Sequence, residues 1–117
     1  MRELNPRIGV VDDYVEDVLA VVEQIPPGQV ASYGDVAELV CRGGPRQVGQ
    51  VMSRFGAAVP WWRVVRADGR PVRGLEDRAL ERLRAEGTPL RGDRVAMSRA
   101  RLAPDPDPAG GPGRDAP

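Results

Sequence analysis

Histidine and lysine are absent from this chain, and cysteine occurs once, as Cys41. The lack of histidine excludes His-dependent acid–base catalysis and Ser-His-Asp triads. A single cysteine without histidine cannot build a Cys/His zinc site, and it cannot form an internal disulfide. We therefore expect no metal and no cofactor.

Long hydrophobic runs and aromatic side chains are also scarce. No stretch approaches the roughly 18 apolar residues of a membrane-spanning helix, and the first residues, MRELNP, lack the hydrophobic run of a signal peptide. Aromatic residues make up 4% of the 117 residues, so the core must consist mainly of Val, Leu, Ala and Met. The composition predicts one small, soluble, intracellular domain without a membrane partner.

Charge is distributed unevenly along the chain, although the formal net charge is zero. Residues 1–41 carry 2 Arg and 8 Asp/Glu, a net charge of −6. Residues 42–102 carry 14 Arg and 6 Asp/Glu, a net charge of +8. Exclusive use of arginine is typical of a GC-rich genome, but it does not explain this clustering. The basic segment favours contacts with phosphate groups.

The chain is predicted to have three parts. Residues 1–11 are expected to form a loose lead-in, residues 12–102 one domain, and residues 103–117 a disordered tail. The tail contains five Pro and three Gly in fifteen positions. It can therefore bury too little apolar surface to offset the entropy of ordering.

Three helices are predicted in the first half of the domain. Apolar residues recur at helical spacing over residues 12–24, before Pro26-Pro27-Gly28. Ser32, with Asp35 three residues later, has the form of a capping box and predicts a second helix over residues 33–41. Gly43-Gly44 predicts a turn, and Pro45 suits the first position of a third helix over residues 45–55.

The third helix has an apolar face and a polar face. The apolar side chains are Val48, Val51, Met52 and Phe55, and the polar ones are Arg46, Gln50, Ser53 and Arg54. A short helix, a glycine turn and a second helix of this kind resemble a helix-turn-helix, whose second helix enters a DNA groove. The four polar residues are therefore candidate DNA contacts.

The second half of the domain is predicted to add a β wing and a further helix. Asp68-Gly69, between Val64-Val65 and Pro71-Val72, predicts a basic hairpin. A helix is expected from Leu75 to Glu86, with Leu75 facing inward, and residues 88–102 are expected to form a strand or extended segment. The fold class is mainly α with a small β wing: a winged helix-turn-helix-like DNA-binding domain.

Three blocks in order, IPPGQVASYGDVA at residues 25–37, PRQVGQVM at residues 45–52 and VPWWRVV at residues 59–65, carry a more specific signal. Together they resemble the DNA-binding domain of the O6-alkylguanine-DNA alkyltransferases, over about residues 12–87. In that family a Pro-Cys-His-Arg motif supplies the cysteine that accepts the alkyl group. Here the motif reads Pro60-Trp61-Trp62-Arg63.

Tryptophan in the acceptor position is incompatible with alkyl transfer, because an indole is not a usable nucleophile at neutral pH. Cys41 follows an apolar run and is expected to be a buried packing residue. The sequence is thus similar to the alkyltransferase-like proteins, which bind O6-alkylguanine without repairing it and pass it to nucleotide excision repair. That group usually has His where Trp62 stands, so a hydrogen bond made by the imidazole is expected to be missing.

The resemblance also implies roles for single residues. Tyr33 would help to rotate the target nucleotide, and Arg46 would fill the vacated stack. Trp61 would line the lesion pocket, and Arg73 would lie at its mouth. Trp62 would line the pocket or pack behind it, and Arg63 would lie beside the pocket or form an ion pair. Arg66 and Arg70 would contact phosphates or solvent.

The expected partners are duplex DNA with O6-alkylguanine and nucleotide excision repair proteins. The protein is expected to be monomeric, cytoplasmic and associated with the nucleoid. Two alternatives remain open. A winged-helix transcription regulator would share the helix-turn-helix and the basic segment, but no long dimerisation helix is left over. An enzyme acting through Cys41 or carboxylates has no support beyond the presence of those groups.

Overall fold

The computed structural model describes residues 6–102, with side chains from residue 13 onward. The five helices are α1 (Pro6–Glu23), α2 (Tyr33–Val40), α3 (Pro45–Phe55), α4 (Glu76–Ala85) and α5 (Met97–Ala100). The strands are β1 (Ala31–Ser32), β2 (Val64–Val65), β3 (Leu90–Arg91) and β4 (Arg94–Val95), and 3₁₀ turns lie at Gly56–Ala58 and Trp61–Arg63. The fold is mainly helical with small β elements, in agreement with the predicted class.

The first helix begins earlier than predicted. Its start at Pro6 overturns the expected lead-in for residues 6–11. Proline is tolerated in the first turn, where its missing N–H would have no helical partner. The remaining lead-in residues, 1–5, and the predicted tail, 103–117, lie outside the described residues.

The predicted helix-turn-helix is present as α2, a tight turn and α3. The N-terminus of α2 has the predicted capping box, because Ser32 Oγ accepts from the Asp35 N–H at 3.0 Å and Asp35 Oδ2 accepts from the Ser32 N–H at 3.0 Å. Helix α2 ends at Cys41, which is left-handed with φ of 70°. Helix α3 begins after Gly44 with Pro45 in its first turn.

The interior is built almost entirely from valine and alanine. One cluster joins α1, α2, α3 and the paired strands, and its fully buried members include Val18, Val22, Val36, Val48 and Val64. A second cluster contains Val30, Val65, Leu83, Val95 and Ala100. Phe55 departs from this pattern: it was expected on the buried face of α3 but is 46% exposed. It is the last residue of α3, where the chain turns into the 3₁₀ segment and leaves the ring uncovered.

The hairpin predicted at Asp68-Gly69 is present only as a tight turn, because the strands predicted on either side of it do not pair with each other. Val64 and Val65 pair in parallel with Ala31 and Ser32 of β1, not with Pro71 and Val72. Both valines are at most 1% exposed, so neither face of this strand is free for a solvent-exposed wing. The Asp68-Gly69 segment is a tight turn, in which the Gly69 N–H donates to the Arg66 carbonyl at 2.8 Å.

The antiparallel hairpin lies further along the chain. Strands β3 and β4 pair Leu90 with Val95 and Arg91 with Arg94. This corrects the single strand or extended segment expected over residues 88–102, which instead contains the hairpin and α5. None of the helices in the described part of the chain is long and apolar enough to cross a bilayer.

Gly43 provides a test of the turn between α2 and α3. It has φ of 72°, and a Cβ there would collide with the Tyr14 hydroxyl. Gly87 also has positive φ, of 78°, but open space around it. We expect Gly87→Ala to cost only the left-handed strain, about 1 kcal/mol. Gly43→Ala should cost at least about 1 kcal/mol more because it also overpacks Tyr14.

Urea unfolding of both variants and the wild type would measure these costs. Equal losses in the free energy of unfolding would show that the Tyr14 side chain moves aside at no energetic cost, and would contradict the prediction.

Candidate nucleic-acid interface

A cavity of about 380 Å³ opens beside helix α3. Its walls come from the start of α2, one side of α3, the two 3₁₀ turns and the segment leading into α4. The lining residues are Tyr33, Gly49, Met52, Ser53, Gly56, Ala57, Trp61, Val72, Arg73, Leu75 and Arg78. This volume lies within the range of about 300–1,000 Å³ that is typical of small-molecule sites.

The parallel pairing of β1 with β2 brings the two aromatic walls of the cavity together. Tyr33 follows β1 directly, and Trp61 lies in the turn that leads into β2. Both rings are half-buried. Burial raises the pKa of the Tyr33 hydroxyl, against a smaller opposite effect of the Arg66 charge. Tyr33 is therefore neutral at physiological pH and offers a hydrogen-bond donor at the cavity wall.

Trp62 and Arg63 do not line the cavity, which corrects their placement in a lesion pocket. The structure matches the alternatives that the sequence left open, with Trp62 packed behind the wall and Arg63 in an ion pair. The Arg63 guanidinium forms a two-point ion pair with Glu86, at 3.0 Å and 2.6 Å, and also donates to the Ile25 carbonyl at 2.8 Å. The Trp62 indole N–H donates to Glu86 Oε2 at 3.0 Å. Residue 62 thus makes a side-chain hydrogen bond of its own through the indole N–H.

Glu86 therefore holds the turn that carries Trp61. Burial by itself would raise the pKa of Glu86, but hydrogen bonds from Arg63 and Trp62 outweigh it and leave the pKa below its ordinary value. Trp61 packs edge-to-face on Trp62, with ring centroids 5.7 Å apart. The Arg82 guanidinium lies 4.5 Å from the centroid of the Trp62 ring. The chain of contacts from Glu86 through Trp62 fixes one wall of the cavity.

The predicted contact residues of α3 divide between two surfaces. Arg46, Gln50 and Arg54 are exposed, and Ser53 lines the cavity. Gln50, Ser53 and Arg54 also border a second hollow, on the side of α3 that faces Tyr14 and Val15. Within residues 13–102, Arg46 and Arg54 form no ion pair. Their charges are therefore available to a ligand along α3.

The arginines of the second half are not equivalent. Arg73 lines the cavity, in the region where the sequence placed it. Arg66 donates to the Pro71 carbonyl at 3.0 Å and lies 3.8 Å from Glu76. Arg70 pairs with Asp68 at 3.0 Å. Arg66 and Arg70 thus interact with other residues of the protein, whereas the sequence predicted contacts with phosphates or solvent.

Several cavity residues were missed by sequence reasoning. Arg78 had no assigned role, and Leu75 was expected to face inward but is 39% exposed and lines the cavity. Leu75 precedes the first residue of α4, so it does not take part in the inward face of that helix. The spacing of the apolar residues predicts that Leu75 is exposed only if the start of α4 is known to within one residue.

Cys41 lies outside the cavity lining, and its expected burial is wrong. The thiol is exposed, because the left-handed conformation at the end of α2 turns residue 41 away from the apolar face. Across the described residues, no group of three His, Cys, Asp or Glu side chains lies close enough to hold a metal ion. The cavity therefore offers aromatic, apolar and cationic groups, but no thiol.

Comparisons with known proteins agree with this arrangement. Residues 13–88 match the family model described as 6-O-methylguanine DNA methyltransferase, DNA binding domain. The chain belongs to this family. It is 34% identical over 82 residues to a DNA base-flipping protein of Vibrio parahaemolyticus, an alignment that covers 66% of this chain and 82% of the relative.

Fission yeast provides a second relative and a solved structure. The chain is 36% identical over 89 residues to alkyltransferase-like protein 1 of Schizosaccharomyces pombe, covering 68% of this chain and 81% of that protein. The crystal structure of S. pombe Atl1 in complex with damaged DNA containing O6-carboxymethylguanine superposes with a TM-score of 0.70 at 28% identity. The superposition covers 80% of this chain and 97% of that one.

The ion pair at Glu86 generates a stability prediction. Arg63 and Glu86 are 13% and 17% exposed, so Glu86→Gln leaves a poorly hydrated guanidinium without its carboxylate. We expect the free energy of unfolding at pH 7 to fall by about 1–3 kcal/mol. Glu81→Gln, at an exposed position of α4, the helix that ends just before Glu86, should change it by less than about 0.5 kcal/mol.

The pH dependence gives a second readout of the same pair. The pKa of Glu86 is lower in the folded state than its ordinary value of 4.5, so its contribution is present above that pH and is lost as the pH falls through the folded pKa. The difference between wild type and Glu86→Gln should therefore shrink on acidification below about pH 4.5. A difference that stays constant between pH 7 and pH 3 would contradict this role.

Proposed function

We propose that this protein is a non-enzymatic sensor of DNA damage, which binds O6-alkylguanine in duplex DNA by nucleotide flipping and hands the lesion to nucleotide excision repair. The observation that carries the proposal is the cavity itself. It has Trp61 and Tyr33 as walls and is bordered by α3, the helix that carries the exposed Arg46 and Arg54. The relatives named for base flipping and the relative bound to damaged DNA support the same assignment.

Recognition begins with the flipped base in the cavity. Trp61 offers an aromatic surface to the purine, and Met52 and Val72 offer apolar contacts beside it. Extruding a base costs a few kcal/mol, and less where alkylation has weakened the G·C pair. Stacking on an aromatic side chain returns about 1–3 kcal/mol per base. Because the two terms are similar, damaged guanine is retained where intact guanine is not.

The helix-turn-helix supplies the contacts with the duplex. Arg46, in the first turn of α3, enters the stack that the flipped base has left, where its planar guanidinium can stack and hydrogen-bond. Gln50 and Arg54 lie further along α3 and contact the groove and the phosphates. Tyr33, in the first turn of α2, crowds the target phosphate and favours rotation of the nucleotide.

Binding without repair follows from the groups in the cavity. Alkyl transfer requires a thiolate placed for in-line attack, and the lining contains Trp61 but no cysteine. Since the lesion then persists, a second protein must remove it, and we assign that step to nucleotide excision repair. The exposed carboxylates of α1, which include Asp13 and Glu16, lie outside the cavity lining and leave a separate surface for such a partner.

Matched duplexes with and without one O6-methylguanine test the sensor function. We expect tighter binding to the damaged duplex and no gain of a methyl group in the intact protein mass. Trp61→Ala should reduce the preference for damaged DNA without changing the salt dependence of binding. The reason is that the flipped base is the only part of the DNA that Trp61 contacts. Fluorescence anisotropy over a salt series measures both quantities. Equal affinities of the wild type for the two duplexes would favour a transcription regulator that reads the groove.

Arg46→Ala tests the flipping step, with Arg54→Ala as the matched control on the same helix. If Arg46 fills the stack, its loss should weaken binding to damaged DNA by about 1–3 kcal/mol and binding to intact DNA much less. Arg54→Ala should weaken both by similar amounts, as a phosphate contact does. A 2-aminopurine beside the lesion reports unstacking. If Arg46→Ala instead behaves like Arg54→Ala and leaves the unstacking signal unchanged, Arg46 has no role in flipping.

A further inference from the structure

The charged residues that line the cavity are all of one sign. Arg73 and Arg78 contribute to the lining, and no aspartate or glutamate does. The rest of the wall is aromatic, aliphatic or small, apart from the hydroxyl groups of Tyr33 and Ser53. An adduct that enters this cavity therefore meets positive charge next to apolar surface.

Both cavity arginines are available to a ligand. Within residues 13–102, neither Arg73 nor Arg78 forms an ion pair, whereas Arg63, Arg66 and Arg70 each have a carboxylate partner. The nearest acidic side chains in sequence are Glu76 and Asp77, and neither lines the cavity. Glu76 accepts the Gly74 N–H at 3.0 Å and lies 3.8 Å from the Arg66 guanidinium.

Arg78 has the better-defined position of the two. It belongs to the first turn of α4 and precedes Ala79, which is fully buried and fixes the helix against the core. Arg73 instead precedes Gly74, which has φ of 88° in the connection to α4 and open space around it. A cation on a packed helix loses less freedom when it binds a ligand than one in a loop.

We propose that the cavity selects O6-alkyl adducts that end in a carboxylate over neutral adducts of the same shape, and that Arg78 is the specificity-determining residue. This inference rests on the proposed lesion-binding function. A carboxylate placed against apolar walls is unfavourable unless a charged donor meets it. An arginine meets a carboxylate with two parallel hydrogen bonds, an arrangement that an amide of the same shape cannot reproduce.

The test uses four duplexes that differ at one guanine: unmodified, O6-methyl, O6-carboxymethyl and O6-carbamoylmethyl. The last two have the same heavy-atom shape and differ in charge. We expect the wild type to bind the carboxymethyl duplex about fivefold more tightly than the carbamoylmethyl duplex, which corresponds to about 1 kcal/mol. Arg78→Gln should bring this ratio close to one.

Arg84→Gln is the matched control, because Arg84 is an exposed residue of the same helix and lies outside the cavity lining. It removes one positive charge from the general field of the protein, so the ratio should stay near fivefold. Arg73→Gln should lower the ratio less than Arg78→Gln does. Thermal unfolding of each variant confirms that it is folded before binding is measured.

The outcomes separate this inference from the proposed function. A wild-type ratio near one, with O6-methylguanine still preferred over guanine, would overturn the inference and leave the sensor function standing. A fivefold ratio that survives in Arg78→Gln would overturn the role of Arg78. Equal affinity of the wild type for all four duplexes would overturn the sensor function itself.

Discussion

The parallel pairing of Ala31-Ser32 with Val64-Val65 is the contact on which the site depends. These four residues are buried, and they connect two segments more than thirty positions apart in the sequence. Tyr33 begins α2 directly after the first strand, and the turn with Trp61 leads into the second. A parallel pair sets both the directions and the register of its strands, so it brings the start of α2 and the turn with Trp61 together at the same cavity.

The Glu86 carboxylate secures this arrangement from the other side. It accepts hydrogen bonds from Arg63 and Trp62, and Arg63 also donates to the Ile25 carbonyl, just beyond the end of α1. A second polar contact does the same for α2, where the Asp35 carboxylate of the capping box also pairs with Arg101 at 2.6 Å. The pKa of Asp35 is lowered, chiefly by the hydrogen bond from Arg101. The carboxylates of Glu86 and Asp35 thus hold together the segments around the cavity, and neither carboxylate lines it.

Local signals in the sequence were sufficient for α2, for α3 and for the turn between them. Helical periodicity, the Ser32–Asp35 capping box and Pro45 at a helix start act within a few residues of each other, so they can be identified without knowing the fold. The early start of α1 was also present as a pattern: Ile8, Val11, Val15, Val18 and Val22 repeat at spacings of three and four.

Other errors concern contacts between distant segments. Asp68-Gly69 is a strong hairpin signal, but it cannot show that Val64 and Val65 have a better partner in β1. The pocket residues Trp61 and Trp62 are neighbours in sequence, yet only Trp61 lines the cavity, because the 3₁₀ turn directs Trp62 to Glu86. No role was predicted for Arg78 or Glu86, because neither residue belongs to a local sequence motif. Their roles depend on what α4 packs against.

The left-handed end of α2 gives this protein one further property of practical value. Cys41 is the sole cysteine of the chain, and its thiol is exposed in the turn between the two helices of the helix-turn-helix. The natural sequence therefore accepts a single maleimide dye or spin label without any engineered substitution. A probe at this position reports on the helix-turn-helix while the cavity walls stay unmodified. The same exposed thiol makes a reducing agent necessary during storage, because two copies can join through a disulfide.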